Sequence, residues 1–240
     1  MPKWPPNEPP DVQVYDGPLL RAVLEVIDRL GRGGLTPDQY QEEIADIFDR
    51  IPPVEALADQ VRQCRAEEGD LVLYRLQTDD LRIWFQLLHM HPYEVHPPHG
   101  HRDLISNQMV LDGRCWLREY DRVARVDEDA VLLRLRSDRE LKVGDRIRTT
   151  EVDRNVHWFG AEAEGAVQLN FFVTGFQEWH FDSHLKRRYG RTYFDPTGPL
   201  TRDGLILGKE IPVEEAEARF QNRSLLQFPV DPACRVAAAA

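Results

Sequence analysis

Cysteine is scarce: Cys64, Cys115 and Cys234 are the chain's three, an odd number set far apart. That excludes a disulfide framework and a cysteine-based zinc site, and it reads as free thiols in a reducing compartment. Long apolar runs are missing too, with no stretch near the ~20 residues that a membrane-spanning helix needs. The opening MPKWPPNEPPD lacks the apolar core of a secretory signal. Positive charge is in deficit: 30 Lys and Arg stand against 41 Asp and Glu, a net charge of −11. An acidic surface repels phosphate backbones and anionic headgroups, so neither nucleic acid nor membrane is an expected partner, and a cytoplasmic location is expected. No internal repeat is visible.

What is present is ordinary globular material, enough to bury a core. Residues 1–16 hold five prolines and are expected as an extended arm. The apolar positions Leu19, Leu20, Val23, Leu24, Val26, Ile27 and Leu30 follow helical spacing and stop at the GRGG of 31–34. A second helix is announced by Thr36 as N-cap, Pro37 at the first helical position and Gln39 completing a capping box. A third helix is expected from Pro53 to Glu68, burying Val54, Leu57, Val61 and Cys64. After Gly69 the period changes. Segments 71–76, 81–90, 108–111, 114–120, 130–136, 145–150, 155–159 and 166–174 are short, rich in β-branched and aromatic residues, and separated by turn signals. That spacing points to a sandwich or barrel. The expected organisation is residues 1–69 as arm and helices, 70–185 as barrel, and 186–240 as a C-terminal extension with a short helix near Pro212.

Histidine is the concentrated residue. Five of the eight, His89, His91, His96, His99 and His101, fall within thirteen positions; His157, His180 and His184 are the others. Neutral imidazole is a common ligand for borderline metals. On a strand, His99 and His101 project from one face and can reach a single ion, and Gly100 between them relieves crowding. The competing reading of this HxH is a solvated, His-rich loop, and a third ligand is needed to decide.

The segment HGHRDLISNQMVLDG (99–113) resembles the first motif of the cupin superfamily. Ser106 falls where most cupins carry a glutamate ligand, and Gly113 follows after six intervening residues, with DGRCW reading as a hairpin turn. His157 is the occupant of the looser second motif. Three histidines without the glutamate are the pattern of the cysteine dioxygenase branch of thiol dioxygenases, which also precedes its barrel with helices. The resemblance implies a mainly β fold, a cupin (double-stranded β-helix) barrel with an N-terminal helical region. It further implies one metal, Fe(II) in preference to another divalent transition metal, on His99, His101 and His157.

The implied activity is a mononuclear non-haem Fe(II) dioxygenase that oxidises a small, anionic thiol or amino-acid-like substrate with O2. A three-His set leaves the ion its full double charge, which favours an anionic donor. The family's carboxylate-binding arginine is matched by Arg75 in LVLYRL, with Arg82 as the alternative. The family's last barrel strand carries a His and a Tyr two apart; here AVQLNFFVTG offers Gln168, Asn170 and Phe172 instead. Tyr93, His96 and His180 are the candidates to replace that acid. Asn155 is expected to hold His157, Cys115 to lie in the core, and Trp84, Trp158 and Trp179 to line or close the barrel. The basic run 186–191 is expected as a solvated face. Two readings stay open beside thiol oxidation: another three-His oxygenase or isomerase, and a cupin that binds a small ligand without catalysis.

Overall fold

The computed structural model of the chain describes residues 9–78, 82–101, 103–150, 153–175, 191–221 and 223–231. Four helices precede the main run of strands: α1 (Pro18–Gly31), α2 (Pro37–Arg50), α3 (Pro53–Ala56) and α4 (Ala58–Glu67). The capping box of α2 forms as the sequence predicts. Thr36 Oγ1 accepts from the Gln39 backbone at 3.2 Å, and Gln39 Oε1 accepts from the Thr36 backbone at 2.9 Å. The expected third helix is split, because Leu57 leaves helical dihedrals (φ −117°, ψ 18°) where its side chain is fully buried.

The strands are β1 (Val12–Gln13), β2 (Leu71–Gln77), β3 (Arg82–Met90), β4 (Val95–His101), β5 (Leu104–Arg125), β6 (Ala130–Leu141), β7 (Arg146–Thr149), β8 (Val156–Thr174), β9 (Arg191–Asp195) and β10 (Ile206–Ile211). A last helix, α5 (Val213–Phe220), follows Pro212 as predicted. All pairings are antiparallel, in the order β1-β2-β3-β8-β4-β9-β10-β6-β5-β7, and β5 also pairs with β8. That extra pairing closes a ring through β8, β4, β9, β10, β6 and β5, so the chain is a mainly β protein with a closed barrel behind N-terminal helices. The segment expected as an extension beyond 186 contributes β9 and β10 to this ring.

Side-chain alternation divides the sheet β2–β3–β8–β5 into two faces. Ile83, Phe85 and Leu87 of β3 and Leu169, Phe171 and Val173 of β8 pack in one apolar cluster with Leu20, Ile27, Ile44 and Phe48 of α1 and α2. Their neighbours in sequence point the other way, into the barrel's cavity.

Two expectations are corrected here. DGRCW is no hairpin turn. β5 and β8 each run on through a corner at Gly113 (φ 73°) and Gly165 (φ 67°), with register shifts around it. A Cβ on Gly165 would stand 2.5 Å from the Met90 carbonyl oxygen, so the crossing strands need glycine there. Arg65 of α4 ties the corner, donating to Asp112 at 2.6 Å and to the Glu164 carbonyl at 3.1 Å. The second correction is Trp158, which is fully buried on the outer side of the barrel against Phe220 and Phe228. Among the described residues, no helix is long and apolar enough to cross a membrane.

Candidate metal centre

β4 builds the site, although the sequence VHPPHGH reads as loop because two prolines cannot donate to a ladder. The strand accommodates them with a register shift between His96 and His99. On either side of Pro97 and Pro98 it pairs with β8 (Val95↔Gly160, His99↔His157) and with β9 (His101↔Arg191). Asn155 holds this strand. It donates to the His101 carbonyl at 2.7 Å rather than to His157, and its Oδ1 leaves no room for a Cβ at Gly100.

The result is three ring nitrogens converging. His157 Nε2 lies 3.1 Å from His99 Nε2 and 3.3 Å from His101 Nε2, and the three rings form a group that can hold a metal ion. With metal–nitrogen bonds of about 2.1 Å, ring nitrogens stand about 3.0 Å apart at a right angle and about 3.4 Å apart at a tetrahedral one, so both observed separations fit. The Pro97 carbonyl, 2.7 Å from His99 Nδ1, can only accept. The proton of a neutral His99 is therefore on Nδ1 and its Nε2 lone pair faces the other rings. Burial and then the Arg191 guanidinium hold His99 well below the ordinary imidazole range and His101 down to about 3. For His157, burial acts first and then His101 and Arg191, in the same direction. All three rings are neutral near pH 7 and offer lone pairs.

They open on a cavity of about 260 Å³, slightly below the ~300 Å³ at which pockets for drug-sized ligands begin. Its lining follows the period of two: Arg82, Trp84, Gln86 and Leu88 from β3, Leu104, Ser106 and Gln108 from β5, Gln168, Asn170, Phe172 and Thr174 from β8. His96, Phe159 and Arg191 complete it. Two arginines and no carboxylate line the cavity among the described residues, in a chain of net charge −11.

The other anticipated residues are dispersed. Arg75 lies outside the cavity: its guanidinium sits 3.5 Å from the Asp11 carboxylate and over the Trp84 ring, and Arg82 lines the pocket instead. Tyr93 sits in the turn before β4 at φ 61°, is 66% exposed, and does not line the cavity. His96 does, with its Nε2 3.3 Å from Glu94 Oε1, and this contact holds the Glu94 carboxyl below its usual range. His180 and Trp179 lie outside the described residues. Cys115 is buried in the core, where it accepts from Gln168 Nε2 at 3.0 Å. Arg191, read as part of a solvated basic run, is the residue that sequence reasoning missed. Its place opposite His101 depends on a strand pairing that no local signal announces.

The chain matches no protein-family model and no curated protein. Solved structures are similar to it. An uncharacterised Klebsiella pneumoniae protein with a double-stranded β-helix domain is 14% identical over 48% of this chain and 86% of its own, at a TM-score of 0.30. Oxalate decarboxylase from Bacillus subtilis is 18% identical over 46% of this chain and 26% of its own, at 0.31. Vicilin from Capsicum annuum is 14% identical over 48% of this chain, at 0.33, and this chain spans 26% of its length. The three differ in kind and carry no activity over to this chain, and none singles out the cysteine dioxygenase branch.

Proposed function

We propose that the chain is a mononuclear metal enzyme, an Fe(II)-dependent dioxygenase that oxidises a small anionic thiol or amino-acid-like substrate with O2. The observation that supports it is a set of three neutral imidazoles converging in a small cavity whose described lining is cationic. His99, His101 and His157 would hold the ion, which supplies Lewis acidity toward an anionic donor and the redox chemistry that O2 requires.

The chain's own residues do the rest. Arg82 and Arg191 draw the substrate's anionic group inward through charge-assisted contacts. Trp84, Leu88, Leu104, Phe159 and Phe172 exclude water. His96, backed by the Glu94 carboxylate, holds or releases a proton at the cavity wall, the role that the Gln168–Asn170–Phe172 strand cannot fill. That same strand favours a second reading, a three-His oxygenase or isomerase outside thiol chemistry.

Anaerobic loading with iron, followed by O2 uptake with a panel of small thiols and of carboxylates without sulfur, separates the readings. Uptake with thiols supports the first. Iron retention with uptake or turnover confined to the carboxylates supports the second. Failure to retain any divalent metal removes both and leaves a non-catalytic binding protein.

A further inference from the structure

Three neutral imidazoles raise the question of where each ring's single proton goes. A ring that turns its Nε2 lone pair to a metal must donate from Nδ1, and buried donors need acceptors. His99 has the Pro97 carbonyl. His157, 1% exposed, has no hydrogen-bond partner at Nδ1, and Asn155 is committed to the His101 and Thr150 carbonyls. Directly opposite His157 in the β5–β8 ladder stands Glu119, 0% exposed. One of its oxygens, Oε2, accepts from Arg154 at 3.2 Å; the other, Oε1, is also buried without a partner. Ser137, opposite Glu119 on β6, is the other side chain whose hydroxyl reaches this carboxyl. The next pair along the ladder, Arg118 and Trp158, stacks on the outer face, so Glu119 and His157 share the inner one. Side chains facing each other across such a ladder have Cβ atoms about 4.5–5.5 Å apart, within reach of one carboxylate rotation.

We propose that Glu119 is the positioning residue of the centre: its Oε1 accepts a hydrogen bond from His157 Nδ1–H, which fixes the ring's tautomer and orientation and keeps Nε2 for the ion. The proposal rests on the metal reading given above and adds to it a partner that sequence motifs do not carry. Outer partners of this kind typically change metal affinity 10- to 100-fold.

The test uses Co(II) as probe on the full chain, with affinity read by titration and ligand geometry by the visible absorption bands. Glu119→Ala is expected to weaken Co(II) 10- to 100-fold and to alter the bands. Glu119→Gln retains an oxygen acceptor and is expected to recover most of the affinity and the parent spectrum. Parent-like affinity and spectrum in Glu119→Ala, with the fold verified by circular dichroism, overturns the proposal and leaves the metal reading intact. A parent protein that does not bind Co(II) overturns both. Should Glu119→Ala not fold, ring-nitrogen NMR of the Zn(II)-loaded parent decides. A slowly exchanging proton on His157 Nδ1 supports the assignment, and a rapidly exchanging one refutes it.

Discussion

Three uncharged rings whose nitrogens approach to 3.1 and 3.3 Å can share a proton between neighbouring Nε2 atoms, whereas a cation between them engages all three lone pairs at once. His99→Ala and His157→Ala should therefore cost more than about a hundredfold in metal affinity, beyond the loss of any outer partner, while circular dichroism stays parent-like. Elemental analysis after dialysis measures this, and stoichiometric metal in either variant would remove that residue from the ligand set. The same rings set an acid limit on the metal-free protein. Their folded pKa values lie below the unfolded value of about 6.5, so the unfolded chain takes up protons first as pH falls. Stability should be complete above pH ~6.5 and decline below it, by about 1.4 kcal/mol per pH unit for each ring that stays neutral. For His101 the decline ends near its folded value of about 3. Urea titrations from pH 7.5 to 4.5 check the sign, and saturating metal should deepen the dependence. Charge-assisted contacts of roughly 1.5–3 kcal/mol mean that Arg82→Leu should weaken an anionic ligand about ten- to a hundredfold. Arg75→Leu should leave binding unchanged, and calorimetry with a small carboxylate compares the two.

At the scale of elements, the corner where β5 and β8 cross is the most demanding feature of the backbone. Gly165→Ala would force a side chain into the left-handed region and against the Met90 carbonyl. Strain of about 1–3 kcal/mol is expected, lowering the melting temperature by about 2–4 °C per kcal/mol, as calorimetry would show. Elements with a regular period were legible from sequence: the α2 capping box, the α1 stripe, and the inward set Gln168, Asn170 and Phe172 all follow from spacing. β4 was not, because Pro97 and Pro98 erase the strand signal where the histidines lie, and only pairing with β8 and β9 restores it. Asp112–Gly113 reads equally as hairpin turn or bulge, and long-range pairing decides between them. The arginines show the same limit. Arg75 and Arg82 sit on neighbouring strands; Arg75 shares a face with the cavity-lining Trp84 but lies one strand farther out, over that ring, which neither residue's surroundings in sequence disclose. Glu119 is silent for that reason too: a lone acid in a strand says nothing until its cross-strand partner is known.

For the whole molecule, the helices and the cavity lie on opposite faces of the same strands, a single side-chain layer apart. Packing errors behind the sheet are thereby felt in front of it. β5 and β8 carry this double duty over residues 104–111 and 167–174, and beyond their corner the same strands run on into the closed ring. A slip of one residue in their pairing would press Gln168, Asn170 and Thr174 against α1 and α2 and turn Leu169, Phe171 and Val173 into the pocket. Both exchanges are costly, and both happen at once. The consequence is one for inheritance. Along residues 104–125 and 156–174 the chain can trade one apolar side chain for another as it diverges, yet a single inserted or deleted codon reverses the parity of everything beyond it. Length changes of one residue should be confined to turns such as 126–129, where β5 has ended and β6 has not begun.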